Sequence, residues 1–239
     1  MGMGLPPSFQ EVIRMKNKLP ILLIGAIALI AGVVASIQLS TSDPSSAGGS
    51  SQAESQKLAK LQGALKTSIA LPLTFKTVPD FELLDVNAAP ITQAVFDDRW
   101  SIVFFGFTHC PDVCPTTLQV MKNVVSKVSE QQQTKPQIVF VSIDPARDTS
   151  EIMKKYISFF DEEFVGITGD MNAVHALTRY LGIVASFTAN AENPENYTVD
   201  HTASLLLIDP QKRVRAKISA PHNAETIVAD YLTMIGISS

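Results

Sequence analysis

Apolar positions along this chain fall into three kinds of run. The first is unbroken. Leu19 to Leu39 reads LPILLIGAIALIAGVVASIQL, with no charge over about 20 residues, the length a helix needs to cross a bilayer. Pro20 falls in its first turn, where a missing N–H does no harm. Arg14, Lys16 and Lys18 precede the span, and the next basic residue is Lys57. The positive-inside rule then keeps the N-terminus (residues 1–18) in the cytoplasm and the bulk of the chain outside. Val33-Val34-Ala35 resembles a signal-peptidase site, but the run is longer than a signal-peptide core, so an uncleaved anchor over 19–39 is expected. No face of it is polar, which argues against a buried core helix. The start is neither Arg-rich nor Ser-rich and contains Glu11, which argues against a mitochondrial transit peptide. The expected location is a bacterial inner membrane, single-pass, with the soluble domain in the periplasm.

The second kind of run is short and apolar on both faces. Ser101 to Phe107, Gln137 to Ile143 and Ser204 to Ile208 have the look of buried sheet strands. The third kind is a stripe at helical spacing. Leu118, Met121, Val125 and Val128 mark a helix from Thr116 to Gln132. Thr149 or Ser150 can cap a helix to about Phe160, and Asp170 one that Gly182 stops. Ala224 to Ile235 closes the chain as a helix. Thr74 to Leu84 reads as one or two short strands, with Phe81 and Leu83 inward and Phe75 a further candidate. Asp85 to Pro90 is a turn, and Ile91 to Phe96 fits either helix or strand. Val165 to Thr168 is a short strand. Ile183 to Phe187 and Tyr197 to Asp200 look like extended arms around a polar loop, and Val214 to Ile218 returns antiparallel after the Asp209-Pro210 turn. Ser40 to Ser55 is rich in Ser and Gly, Lys57 to Lys66 has a weak helical pattern, and 40–70 is expected to be a flexible linker ahead of a domain over 71–239. Strands alternating with helices, then a hairpin and a helix, spell a thioredoxin-like α/β fold: a mixed sheet flanked by helices.

Composition narrows the function. Net charge is −4 with both signs mixed, and no basic patch or nucleic-acid motif is present, so nucleic acid is not an expected partner. Only two cysteines occur in 239 residues, too few for a disulfide scaffold or a four-sulfur zinc site. Those two, Cys110 and Cys114, sit where the first buried strand turns into a helix. The first turn of a helix favours thiolate over thiol. Helix geometry puts their Cα atoms about 6 Å apart, within disulfide range and close enough to share a metal ion. Buried thiols that merely pack are the plainer alternative, but two cysteines flanked by Pro111 and Pro115 lie at the edge of a core, not inside it.

Two thiolates and an imidazole would suit copper in either oxidation state. Four histidines are available. His109 adjoins Cys110, but neighbours tend to point apart. His175 has the company of a solvated helix face, and His222 sits in a loop before the last helix. His201 falls just before the strand 204–208, which in this fold runs beside the cysteine-bearing turn. Redox thioredoxins carry a cis-proline there and two residues between their cysteines. Val199-Asp200-His201-Thr202 has no proline, and three residues separate Cys110 from Cys114, which leaves room for a metal.

The block Phe105-Gly106-Phe107-Thr108-His109-Cys110-Pro111-Asp112-Val113-Cys114-Pro115, with Ser142-Ile143-Asp144-Pro145-Ala146-Arg147-Asp148-Thr149 and Val199-Asp200-His201-Thr202, resembles the Sco/SenC family of membrane-anchored, copper-binding thioredoxin-like proteins. The resemblance runs from about Val78 to the C-terminus. It implies that Cys110, Cys114 and His201 bind one copper ion, and that the protein serves the copper centre of cytochrome c oxidase. The copper-bearing oxidase subunit, a copper donor and a thiol reductant would be its partners. Asn87-Ala88-Ala89-Pro90 lacks the glycine common in the family, and Phe107 stands where tyrosine is frequent.

Two classes of function follow: a copper chaperone, or a thiol-disulfide oxidoreductase using Cys110 and Cys114 as a redox pair that can close to a disulfide. A peroxidase of the same fold fits less well, because Thr108 lies two residues before Cys110, not three. Asp112 reads as a helix cap, and Asp144 to Asp148 as a proline turn with an Arg–carboxylate pair.

Overall fold

The computed structural model describes residues 48–188 and 197–238. The expected membrane span, the N-terminal tail and most of the loop before Tyr197 lie outside the described residues. Among the described residues no helix is long and apolar enough to cross a membrane.

The expected linker is described from Gly48 onward, and there it is helix and strand. Helix α1 spans Gly48–Ala64 and strand β1 Ser68–Ala70. The weak helical pattern over 57–66 is the second half of this helix, and the Ser/Gly/Gln composition hid the first; Leu58 and Leu61, with Leu65 just past its end, pack on the core, Leu61 fully. The step into β1 is fixed by the buried Asp230 carboxylate, which accepts the backbone N–H of Lys66, Thr67 and Ser68 at 2.5, 2.9 and 2.8 Å. The ordered fold therefore begins well before residue 71, and one compact unit runs from Glu54 to Ser239.

The order then runs β2 (Glu82–Asp85), β3 (Pro90–Thr92), a 3-10 turn (Gln93–Phe96), β4 (Ser101–Gly106), α2 (Val113–Glu130), β5 (Gln137–Ser142), α3 (Ser150–Phe160), β6 (Val165–Thr168), α4 (Met171–Leu181), β7 (Ala185–Thr188), β8 (Thr198–His201), β9 (Leu205–Ile208), β10 (Val214–Ile218) and α5 (Ala224–Ser238). Eight strands form one mixed sheet in the order β1-β10-β9-β4-β5-β6-β2-β3. β4, β5 and β6 are parallel, and the outer pairings are antiparallel. This is the α/β arrangement expected, with the three apolar runs at its centre. All six positions of β4 are buried, as a strand covered on both faces requires. The stretch 91–96 proves to be both strand and 3-10 turn.

Local chemistry explains the start of α3 and both ends of α4. The Thr149 hydroxyl accepts the Ile152 N–H at the start of α3. The Asp170 carboxylate accepts from Asn172 and Ala173 at the start of α4, and Gly182, at φ 78°, ends it in the left-handed conformation. Asp112 is a correction: it precedes α2 but makes no side-chain cap, its carboxylate accepting instead from the Thr116 hydroxyl. Phe75 is 44% exposed and does not join the core, and Phe81 is only partly buried, whereas Leu83 is fully so.

The two extended arms form a sheet of their own. β7 and β8 pair only with each other among the described strands, with Ala185 opposite His201 and Thr188 opposite Thr198. His201 is thus the last residue of β8, carried by a ribbon outside the main sheet.

Candidate metal centre

The buried strand β4 delivers the chain to the carboxyl end of the sheet, where open α/β sheets hold ligands. Phe107 is still buried. The chain then turns sharply: the Thr108 N–H and hydroxyl donate to the Asp148 carboxylate at 3.0 and 2.6 Å. Two residues on comes Cys110, half-buried, and then α2 begins with Cys114 in its first turn, fully buried. A Cβ on Gly106 would lie 2.8 Å from the Cys114 sulfur and 2.8 Å from the Phe140 ring, so the strand passes the sulfur at a distance that only glycine allows.

The sulfurs are unbridged and electrically unequal. The Cys114 backbone N–H, one of the orphan donors of the helix start, points at the Cys110 sulfur at 3.4 Å. The Cys114 thiol hydrogen-bonds Cys110 and is the largest cause lowering the Cys110 pKa to about 5, with backbone N–H groups and the His201 charge adding to it against burial. The same hydrogen bond, with burial, pushes the Cys114 thiol well up. These opposing shifts favour a thiolate at position 110 and a thiol at position 114. Iodoacetamide labelling of Cys110 is expected to run at full rate at pH 7 and to fall with a midpoint of about 5 as the pH is lowered, since only the thiolate attacks. A midpoint near the ordinary thiol value would contradict this charge distribution. Cys114, buried and protonated, is expected to resist the reagent.

His201 reaches the pair. Its Nε2 lies 3.7 Å from the Cys114 sulfur, its Nδ1 3.3 Å from the Thr202 carbonyl, and Phe104 and Phe107 flank its ring. The other histidines go elsewhere. His109 is exposed, with Nδ1 3.1 Å from the Thr108 hydroxyl and 3.7 Å from Asp148. His175 packs against Phe187. His222, a loop residue as expected, is drawn against Thr117 on the next turn of α2, at 3.2 Å. Burial lowers its pKa, so it is neutral at pH 7.

Two sulfurs and an imidazole nitrogen at one edge form a donor set whose softness fits copper. Among the described residues, however, no three Cys, His, Asp or Glu side chains are gathered closely enough to hold a metal ion as they stand. The donors adjoin without forming a closed cage.

The turn Asp144 to Asp148 carries more than the expected ion pair. Asp144 and Asp148 are both fully buried. Asp144 pairs with the Arg147 Nε at 2.5 Å and accepts the Tyr197 hydroxyl. Arg147 donates to the Tyr197 carbonyl at 3.1 Å, and its guanidinium lies 3.8 Å from the centre of the Tyr197 ring. Asp148 accepts from Ser142 as well as Thr108.

The SCO1/SenC family model matches residues 71–236. A protein of Stutzerimonas stutzeri described as copper-binding is 37% identical over 61% of this chain and 71% of its own length. The yeast mitochondrial protein SCO2 (Saccharomyces cerevisiae) is 35% identical over 55% of this chain, but the match spans only 44% of that longer protein. Among solved structures, ScoI of Bradyrhizobium japonicum with copper bound is 32% identical, with a TM-score of 0.57 over 65% of this chain and 97% of that one.

Proposed function

The chain belongs to the SCO1/SenC family, and from that premise we propose that it is a copper chaperone: it carries one copper ion on Cys110, Cys114 and His201 and hands it to the copper-bearing subunit of cytochrome c oxidase. Copper is cargo on this reading, to be held and released. Relatives at more than 30% identity are described as copper-binding or were solved with copper bound, and Sco proteins are described as cytochrome c oxidase assembly proteins. The observation that carries the reading is the His201 Nε2, 3.7 Å from the Cys114 sulfur. Disulfide chemistry needs two sulfurs. A third soft donor beside them is what a metal needs.

A specific observation favours a second activity of the same pair. A thiolate at Cys110 beside a protonated partner is the arrangement of an attacking and a resolving thiol. Reduction of a client's cysteines before copper delivery is compatible with the first role. The apolar run 19–39 supports an anchor holding this site outside the cytoplasm. A reporter fused after Ser239 should then be active only in the extracytoplasmic space, and activity in the cytoplasm would overturn the anchor.

The test of the reading is metal content. Full-length protein in detergent, kept reduced and offered copper, should hold one ion per chain. After oxidation to the Cys110–Cys114 disulfide it should hold almost none, because both sulfurs lose their charge as ligands. Equal copper in both states would contradict it.

A further inference from the structure

We propose that the turn Asp144 to Asp148 is a bracket that sets the separation between the sulfur pair and the His201 imidazole. The inference rests on the ligand reading above and goes beyond it, assigning positioning roles to Asp144, Arg147, Asp148, Thr108 and Tyr197.

The need for such a part follows from topology. Cys110 and Cys114 are fixed by β4 and α2, at the centre of the main sheet. His201 sits at the end of a ribbon that pairs only with itself among the described strands. No main-sheet ladder sets its height above the sulfurs, and its own polar contacts are long, at 3.3 and 3.7 Å. The near end of the ribbon is closed on itself, the Thr202 N–H donating to the Val184 carbonyl at 2.9 Å, and the opposite end of β8 is gripped by the turn 144–148. Tyr197, immediately before β8, is held at three points: its hydroxyl by Asp144, its carbonyl by Arg147 Nη1 at 3.1 Å, and its ring face by the guanidinium at 3.8 Å. Four residues of strand, roughly 13 Å, separate Tyr197 from His201, so fixing one end aims the other.

The same turn grips the sulfur arm. Asp148 takes both the N–H and the hydroxyl of Thr108, two residues before Cys110. Inside the turn, the Ser142 hydroxyl accepts the Asp144 N–H at 3.0 Å and donates to Asp148 at 2.7 Å. Hydrogen bonds thus link Tyr197 to the Asp144 carboxylate, the Asp144 N–H to Ser142, and both Ser142 and Thr108 to the Asp148 carboxylate, the path crossing Asp144 through its own covalent frame. With both carboxylates fully buried, such a path is strengthened by the low dielectric around it. Arg147 also faces Phe107, the ring that meets His201 edge-on. Outer-shell partners that orient a ligand commonly govern metal affinity in this way.

The test uses full-length protein in detergent, with Tyr197→Phe and Arg147→Lys on the imidazole arm and Thr108→Val on the sulfur arm. Copper affinity is measured by competition with a chelator, and the potential of the cysteine pair by thiol equilibration. Amide hydrogen exchange of Val199 to His201 is measured on the metal-free protein. Tyr197→Phe and Arg147→Lys are expected to weaken copper roughly 10-fold, within the usual outer-shell range. They should speed exchange along β8 while leaving the potential and the unfolding midpoint unchanged. Thr108→Val is expected to shift both copper affinity and potential. A merely structural role would lower the midpoint and move every readout together, and that result overturns the bracket. So does unchanged copper affinity and exchange in Tyr197→Phe. His201→Ala is the reference: if it binds copper as the native protein does, the ligand reading fails and the bracket falls with it. If it is weakened and Tyr197→Phe is not, the bracket alone fails.

Discussion

Cys114→Ala protein is expected to hold no copper above background, to form no internal disulfide, and to lose the low pKa of Cys110. All three follow from one sulfur. Cys114 is the fully buried member of the pair, 3.7 Å from the His201 nitrogen, so its removal takes away a proposed ligand and the partner of the proposed redox couple together. Its thiol is also the largest cause holding Cys110 near 5. The labelling midpoint of Cys110 should therefore rise toward the ordinary thiol value. Loss of a ligand should cost more than the roughly 100-fold at the upper end of outer-shell changes. Copper titration and the pH profile of labelling check the two halves on one preparation. A variant that keeps its stoichiometry would show that the metal sits elsewhere.

The second large effect separates the two chemistries. His201→Ala protein is expected to lose at least about 10–100-fold in copper affinity while its Cys110–Cys114 pair still opens and closes. Disulfide exchange needs the sulfurs alone, and the imidazole enters only as the proposed third donor. The potential should move little, because the His201 charge is the last of the influences lowering the Cys110 pKa, well behind the Cys114 thiol. Because His201 also packs against Phe104 and Phe107, its unfolding midpoint must match the native one before the loss is assigned to copper.

Much of this site is legible in the residue order, because its parts obey local rules. An apolar run followed by Cys-Pro-Asp-Val-Cys-Pro reads as strand, turn and helix start, and Cys114 does fall in the first turn of α2. Asp170 and Gly182 bound α4 by capping chemistry that any sequence displays. What stayed hidden depends on distant partners. Arg147 and Asp144 are three residues apart and read as an ion pair. Their partner Tyr197 is 53 residues from Asp144, and Thr108 is 40 from Asp148. No periodicity links such positions. The β7–β8 ribbon was visible only as two extended arms, since short runs do not reveal which strand they pair with. Only the second half of the early helix is legible, as a weak helical pattern over 57–66 with Leu58 and Leu61, because Ser, Gly and Gln dominate the first half. His222 gave no signal of its place against Thr117, which lies more than a hundred residues away.

Copper holding and thiol exchange alone are told apart most directly by oxidase assembly at limiting copper, in cells lacking the native protein and supplied with either His201→Ala or Cys114→Ser. For a protein that acts by holding copper, both should fail alike, and added copper should partly restore His201→Ala but not Cys114→Ser. Normal assembly with His201→Ala at low copper would contradict copper holding and leave a thiol reductant in its place.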